Sequence, residues 1–287
     1  MPFDSKQRYT TAGRKNANPL QKQLLLWAGF AGVLSIWFLT PASDFITSYL
    51  LSVVPIESDI ELGKQAWNSM KQNYRSVPDI WRVQEVGHRL VKALSKEEQQ
   101  GLAWDFGVIH ATFINAFALP GGIVRITDAL LHQLDLSEGE LAALIGHEMG
   151  HVVHRHCQVR MLKEQLFGYL MKAILYEDND DDSESLGEAI GELLLKSVTF
   201  AGTQKFSRND EYEADATSWD LLMKSRRYSP KAVQSLLQKL WNVNGGSGET
   251  SWESTHPGTK DRINALQLKW DELPTSQRKR LEVNLVV

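Results

Sequence analysis

The stretch LIGHEMGHVVHRH, residues Leu144 to His156, decides the fold because it places four histidines and one glutamate on a short length of chain. His147 and His151 are four residues apart, and side chains at this spacing share one face of a helix. Two imidazoles on one face can bind a single zinc ion at about 2.0–2.1 Å from each nitrogen. We therefore predict a helix here, with His147 and His151 as metal ligands.

Glu148 directly follows the first of these histidines. On a helix it is turned from His147 by about 100°, so its carboxylate is expected beside the metal rather than bound to it. A general base for a zinc-activated water belongs at that place. A chance match of the motif is one alternative. A purely structural metal site, which would not need Glu148, is another.

His154 and His156 complete the stretch but do not fit the same ion. On a straight helix His154 lies about 10 Å beyond His147 on the same face, and His156 points to roughly the opposite side. We interpret both as packing or surface residues, with a role behind the ligands as the alternative. A metzincin site is excluded, because Cys157 stands where that motif has its last histidine.

A second stretch, FSRNDEYEADATSWD at residues 206–220, offers the missing ligand. Glu211 and Asp215 share one face of the predicted helix, and Glu213 lies off that face. Glu211 could bind zinc, and Asp215 could accept a hydrogen bond from a liganding imidazole and fix its tautomer. Acids on a solvated helix face are equally common, so spacing alone leaves both interpretations open.

The composition of the whole chain is that of one or two packed domains, with 287 residues, 43% hydrophobic content and a net charge of −4. The pI of about 6.1, without a basic patch interleaved with aromatic residues, argues against nucleic acid as a partner. The single cysteine, Cys157, excludes an intrachain disulfide framework. Cysteine usage therefore does not identify the compartment.

The amino-terminal residues predict a membrane anchor. Residues 1–23 form a basic tail with five Lys or Arg side chains and one acid. The following residues 24–39, LLLWAGFAGVLSIWFL, carry no charge. With their flanks they predict one transmembrane helix over residues 24–42, whose partner is the lipid bilayer. A cleaved signal peptide and a buried core helix are the alternatives.

The charge ahead of this span predicts its orientation. Residues 1–23 should remain in the cytoplasm, and the chain after the span should lie on the far side of the membrane. We therefore expect a single-pass protein of the inner (cytoplasmic) membrane with a periplasmic main domain. The mitochondrial inner membrane is the alternative, disfavoured because the tail lacks a clear Arg-rich amphipathic helix.

Residues 56–287 predict one helix-rich α+β domain with a small sheet. Alternating apolar and polar residues around the turn LPGG indicate two or three short strands. Ser137, with Glu140 three residues later, indicates the start of the helix that carries His147. The acidic run at residues 177–184 predicts a solvated loop, and we hypothesise that it is a flap over the site.

Four motifs together resemble the HtpX-like gluzincin metallopeptidases, a family that includes the CaaX-prenyl proteases and the Oma-type and BepA-type quality-control proteases. The motifs are NAFALPGG with ITDALL, ELAALIGHEMGHVVHRH, SRNDEYEADA and THPGTKDRINAL, and they cover roughly residues 60–268. Their order and spacing make the combination specific, although each motif alone is not. The resemblance implies a zincin-like fold, one Zn²⁺ per chain and a peptide substrate.

By this resemblance, His147, His151 and Glu211 are the zinc ligands. Glu148 is the catalytic base, and Asp215 supports a ligand from behind. The resemblance thus favours the metal-binding interpretation of the acidic helix over a solvated face.

The resemblance also implies that the strand around Asn115, Ala116 and Phe117 borders the cleft and pairs with an extended peptide. An exposed strand edge binds any sequence through backbone hydrogen bonds.

The roles of His256 and Arg262 are less determined. His256 either stabilises the oxyanion or takes the open coordination position and holds the enzyme idle. In the plainer interpretation His256 caps a helix and Arg262 pairs with a nearby acid.

Taken together, these inferences predict a membrane-anchored zinc endopeptidase. Because the chain has one candidate span, quality control of misfolded envelope or membrane proteins fits better than the cleavage near prenylated termini that multi-span relatives perform. A non-catalytic, zinc-stabilised chaperone or adaptor that binds unfolded chains along the strand edge is the alternative. The substrate, the cleavage specificity and the oligomeric state stay open.

Overall fold

The computed structural model describes residues 47, 49, 51–77, 80–99, 101–175, 205–243 and 251–282. The predicted tail, the predicted span at residues 24–42 and the acidic run at residues 177–184 lie outside this part of the chain. Within it, no helix combines the length and the apolar character that a membrane crossing requires. The compact unit that holds the described residues begins at Thr47.

The described residues form a small sheet surrounded by helices, as the α+β prediction required. The strands are β1 (Arg75–Ser76), β2 (Asp105–His110), β3 (Ala116–Leu119) and β4 (Ile123–Thr127). The helices are α1 (Ile56–Met70), α2 (Trp81–Val91), α3 (Lys96–Gln99), α4 (Asp128–Leu134), α5 (Glu138–Val153), α6 (His156–Leu175), α7 (Arg208–Ser225), α8 (Lys231–Val243), α9 (Ser251–Thr255), α10 (Thr259–Asp271) and α11 (Thr275–Glu282).

The sheet has the order β1-β2-β4-β3, so β3 lies at one edge. β4 pairs in parallel with β2 and antiparallel with β3, with Phe117 opposite Arg125. The β3–β4 connection is a single 3-10 turn over Pro120–Gly122. Gly121 has φ +79° in that turn, and a Cβ atom there would lie 2.5 Å from the Cα atom of Ile60. Glycine therefore allows both the turn and the close approach of α1.

Helix α5 is the centre of the domain. Its start is fixed by a capping box, in which Ser137 accepts from the Glu140 amide and Glu140 accepts from the Ser137 amide. Every residue from Glu140 to Val152 is buried. A helix buried on all sides must be covered by neighbours on each face, and α2, α7, α8 and β3 supply them.

Helix α7 approaches α5 unusually closely. A Cβ atom at Gly150 would lie 2.7 Å from the Cα atom of Ala214, and one at Gly146 would lie 2.9 Å from Ser218 Oγ. Ser218 Oγ also donates to the Ala143 carbonyl at 2.7 Å. The two glycines thus bring the backbone of α7, and with it the acidic side chains of that helix, next to the histidine face of α5.

The chain reverses direction directly after α5. Arg155 adopts the left-handed conformation, with φ +56°, and α6 begins at the next residue, His156. The guanidinium group of Arg155 donates to Asp59 Oδ1 at 2.7 Å and to the Leu51 carbonyl at 2.7 Å. Those contacts tie the corner between α5 and α6 to the residues ahead of and inside α1.

Glu140 gives a test of the α5 amino terminus. Its buried carboxylate accepts from Ser137 N, Ser235 Oγ and Lys239 Nζ, at 2.9, 2.6 and 2.6 Å. Burial alone would raise the pKa of Glu140, but these partners, Lys239 first, lower it below its ordinary value. A carboxyl whose pKa is depressed by folding stabilises the fold when the pH is above its pKa in the unfolded chain. That contribution is lost as the pH falls through its pKa in the folded protein.

We therefore expect Glu140→Gln to lower the free energy of unfolding by about 1–2 kcal/mol near pH 7. The difference from wild type should shrink as the pH falls below about 5. Urea unfolding at several pH values measures it. Glu85→Gln, which removes an exposed acid paired with Arg89, is the matched control and should change stability by less than about 0.5 kcal/mol. A deficit independent of pH would contradict this account.

Candidate metal centre

The centre of the site is formed by two histidines one turn apart on α5. His147 Nε2 and His151 Nε2 face each other at 3.1 Å, and each residue is 1% exposed. Burial holds the pKa of His151 well below its ordinary value. The His151 imidazole is therefore neutral and carries a lone pair, the form that binds a metal.

Helix α7 adds a carboxylate to this pair. Glu211 Oε2 lies 3.5 Å from His147 Nε2, and Glu211 Oε1 lies 3.4 Å from His151 Nε2. Burial alone would raise the pKa of Glu211, but the neighbouring Arg262 guanidinium and His256 hold it well below its usual range. Glu211 is therefore ionised although it is fully buried.

His256, from the residues after α9, reaches the same point. Its Nδ1 atom lies 3.1 Å from Glu211 Oε1 and 3.3 Å from His147 Nε2. The ring stacks on Trp252, with centroids 4.1 Å apart. Burial works to lower the pKa of His256, but the Glu211 carboxylate outweighs it and raises the pKa. His256 also directly follows α9, and its amide donates to the Trp252 carbonyl at 2.7 Å, so its backbone ends the helix while its side chain lies in the cluster.

One donor atom from each of His147, His151, Glu211 and His256 lies within 4.8 Å of the others. Three imidazoles and one carboxylate are ligand types that zinc accepts, and four donors match its preferred coordination number. The described residues therefore fit a zinc ion. The three ligands expected from sequence are brought together, and a fourth donor is added to them.

Asp215 and Arg262 lie behind these four donors. His147 Nδ1 donates to Asp215 Oδ1 at 2.9 Å, which leaves the Nε2 lone pair directed at the cluster. Arg262 donates to both oxygens of Asp215 at 2.7 Å, and also to Glu211. Burial alone would raise the pKa of Asp215, but Arg262 lowers it. Arg262 therefore holds the two acids, and these contacts do not direct it at an oxyanion.

Glu148 stands apart from this network. It is fully buried, and within the described part of the chain neither carboxylate oxygen has a hydrogen-bond partner. His256 Nε2 lies 3.7 Å from Glu148 Oε1. Burial raises the pKa of Glu148. A buried carboxyl without partners destabilises a fold, whereas a general base needs both an unoccupied oxygen and a raised pKa.

The edge strand β3 borders α5, and Asn115, Ala116 and Phe117 are all buried there. Asn115 O accepts from Thr127 N at 3.0 Å. The alternation of an antiparallel pair then directs the backbone groups of Ala116 and Ala118 away from β4. The Ala118 carbonyl accepts from Cys157 Sγ at 3.5 Å. Burial raises the pKa of that thiol to about 12, so the thiol is not a nucleophile.

Two ring contacts of His151 were not predicted from the sequence. His156 Nδ1 lies 2.9 Å from His151 Nδ1, because the reversal at Arg155 turns His156 back toward α5. The expectation that His156 points to the opposite side was wrong, because it assumed a continuous helix. Phe206 stacks on His151 with centroids 3.8 Å apart. His154 is exposed, as expected, and contacts Thr217 Oγ1 at 2.9 Å.

Comparison with known proteins gives concordant matches. The chain is 28% identical over 231 residues to the mitochondrial metalloendopeptidase OMA1 of Schizosaccharomyces pombe, covering 79% of this chain and 64% of that protein. It is 30% identical over 167 residues to the metalloprotease LoiP of Escherichia coli, covering 57% and 61%. It is 28% identical over 217 residues to the β-barrel assembly-enhancing protease of Yersinia pestis, covering 70% and 42%.

In each of these three matches the chain spans less than two thirds of the relative's length. The sequence pattern of peptidase family M48 matches residues 81–269, which is more than half of the chain and includes every residue of the candidate metal centre. The chain therefore belongs to peptidase family M48 and carries the metalloprotease domain of that family.

Proposed function

We propose that this protein is a zinc-dependent endopeptidase. The observation that carries the proposal is the position of Glu148, a buried carboxyl with no hydrogen-bond partner among the described residues, beside the donors of His147, His151 and Glu211. A zinc ion held there would supply a Lewis acid that acidifies a water and polarises the scissile carbonyl.

The role of Glu148 in this proposal is to move protons. Its carboxylate takes a proton from the attacking water and delivers it to the leaving amine. The raised pKa fits this task, because a general base works best when its pKa lies near the working pH. His151 stays neutral, and Arg262 keeps Glu211 ionised and in place.

The substrate in this proposal is an extended peptide bound along β3. The outward backbone groups of Ala116 and Ala118 provide hydrogen bonds that do not depend on side-chain identity. Asn115, Ala116 and Phe117 keep the role that the resemblance implied. The Ala118 carbonyl exchanges its contact with Cys157 for one with the peptide.

For His256 we favour the coordination role over the oxyanion role. Its Nδ1 atom lies among the other donors, where a fourth ligand would stand. A catalytic zinc site needs an open position, whereas four protein ligands close it. The described geometry is then a resting form in which His256 holds the enzyme idle.

We expect His256→Ala to weaken zinc binding about 10-fold or more and to raise the rate of peptide cleavage several-fold at saturating zinc. The expected rise follows from the opened coordination position. Titration of zinc and the kcat for a quenched peptide measure the two effects. His154→Ala, which removes an exposed histidine outside the cluster, is the control. A fall of about 10²–10³ in kcat with unchanged zinc affinity would instead assign His256 to oxyanion stabilisation.

The physiological task in our proposal is the quality control of misfolded envelope or membrane proteins by an enzyme anchored through residues 24–42. The relatives named for mitochondria and for β-barrel assembly support a membrane setting. The inner membrane with a periplasmic domain is our first choice, and the mitochondrial inner membrane is the alternative.

Metal content and casein cleavage by the full-length protein in detergent test the proposal. We expect about one zinc per chain, cleavage that stops on chelation, and recovery when zinc is restored. Zinc binding without cleavage, in both wild type and His256→Ala, would favour the zinc-stabilised chaperone or adaptor that binds unfolded chains. A protein that takes up no zinc would contradict both functions.

A further inference from the structure

His156 and Glu213 form a hydrogen-bonded chain behind His151. His156 is 4% exposed. Its Nδ1 atom lies 2.9 Å from His151 Nδ1, and its Nε2 atom lies 3.1 Å from Glu213 Oε2. The chain therefore runs from an imidazole of the metal cluster, through a second imidazole, to a carboxylate on α7.

The contact between two Nδ1 atoms limits where the protons lie. At 2.9 Å one nitrogen must donate and the other must accept. A neutral His151 that binds a metal through Nε2 carries its proton on Nδ1. His151 Nδ1 then donates to His156 Nδ1. The proton of neutral His156 lies on Nε2, where it donates to Glu213. This one arrangement satisfies the metal contact of His151, the contact between the two Nδ1 atoms and the contact between His156 and Glu213.

We propose that His156 and Glu213 are positioning residues that fix the tautomer and the ring orientation of His151, a role that rests on the proposed metal site. Asp215 stands in the same relation to His147, but by direct contact at 2.9 Å. The two histidine ligands are thus both supported by carboxylates of α7. His151 reaches its carboxylate only through a second imidazole.

A second metal site is the competing use of these residues. Donor atoms of His154, His156 and Glu213 also lie within 4.8 Å of one another. A metal on His156 Nε2 would move the His156 proton to Nδ1, where it would face the proton of His151 at 2.9 Å. His154 Nε2 is in contact with Thr217 Oγ1 as well. The arrangement therefore supports a ligand and does not suit a second ion.

Replacements at His156 separate support of His151 from simple packing. Leucine fills the space but offers no acceptor, so His156→Leu should weaken zinc binding about 10- to 100-fold. The Oδ1 atom of asparagine can take the place of Nδ1 as acceptor. His156→Asn should therefore bind zinc within about threefold of wild type. Thermal unfolding of the metal-free proteins shows whether either variant changes the fold itself.

Glu213 supplies the far end of the chain and is more open to solvent, with its side chain 60% exposed. Water can replace part of its contact, so Glu213→Ala should weaken zinc binding by about 3- to 10-fold, less than His156→Leu. Asp220→Ala is the matched control, because that acid lies on the same helix with a side chain 62% exposed. It should leave zinc affinity unchanged.

The experiment is a competition titration of the full-length proteins in detergent against a zinc chelator of known affinity. The expected order of affinity is wild type and Asp220→Ala, then His156→Asn, then Glu213→Ala, and last His156→Leu. Equal zinc affinity in wild type and His156→Leu would overturn the positioning role but leave the proposed function in place. A second zinc that disappears in His154→Ala would also overturn it. A wild-type protein that binds no zinc would overturn the proposed function and this role with it.

Discussion

Replacing Glu148 with glutamine is expected to leave zinc bound and to slow peptide hydrolysis by about 10²–10⁴-fold. Glutamine has nearly the shape of glutamate, and Glu148 lies outside the set of donor atoms that converge on one point. The amide cannot accept the proton of the attacking water. The proposed ligands His147, His151 and Glu211 are untouched, so metal content should equal that of wild type.

Zinc analysis and kcat for a quenched peptide measure the two halves of this prediction. Glu140→Gln is the matched control, because it makes the same substitution on the same helix, outside the metal centre. It should lose stability but keep its turnover. Wild-type turnover in Glu148→Gln would remove Glu148 from the mechanism, and loss of zinc would mean that the carboxylate helps to hold the ion.

Replacing Arg262 with methionine is expected to give the largest change in stability. Arg262 is 1% exposed and donates to both Asp215 and Glu211. Its loss leaves two buried carboxylates without their cation, and breaking a buried ion pair in this way costs about 3–5 kcal/mol. For a domain of this size that corresponds to a fall in Tm of roughly 6–20 °C in the metal-free protein.

Zinc should reduce this loss, because the metal supplies a second cation next to Glu211. Thermal unfolding with and without zinc measures the difference between the two states. Arg208→Met, which removes an arginine whose side chain is 69% exposed in its pair with Asp261, is the control and should change Tm little. An equal fall in Tm with and without zinc would show that Arg262 acts on packing alone.

Acid should act on the same pair of carboxylates. Both carboxyls have depressed pKa values in the folded protein. They therefore stabilise the fold when the pH is above their pKa in the unfolded chain, and this contribution is lost as the pH falls through their pKa in the folded protein. The deficit of Arg262→Met should therefore be largest near neutral pH. It should narrow in acid, where wild type loses the same interaction.

Local patterns made much of the fold predictable. The apolar stripe of α2, the turn between β3 and β4, and the capping box of α5 are each encoded by neighbouring residues. The helical spacing of His147 and His151 is of the same kind. Glu211 and Asp215 could be placed on one face, but only the close approach of α7 to α5 shows which way that face points.

The rest of the site depends on contacts between distant residues. Arg155 adopts the left-handed conformation, which mainly glycine and asparagine adopt. The residues around it therefore did not indicate the chain reversal that brings His156 back to His151. The stacking of Phe206 on His151 likewise joins residues far apart in the chain. A lone aromatic residue does not indicate which ring it will cover.

The contacts of Arg155 with Leu51 and Asp59 determine where an expressed fragment of this protein can begin. Arg155 is held by Asp59 and by the carbonyl of Leu51, and its neighbour His156 contacts His151. A fragment that starts at residue 56 keeps α1 but loses the Leu51 contact. The first residue of an expressed fragment should therefore lie ahead of Leu51, close to Thr47, where the compact unit begins.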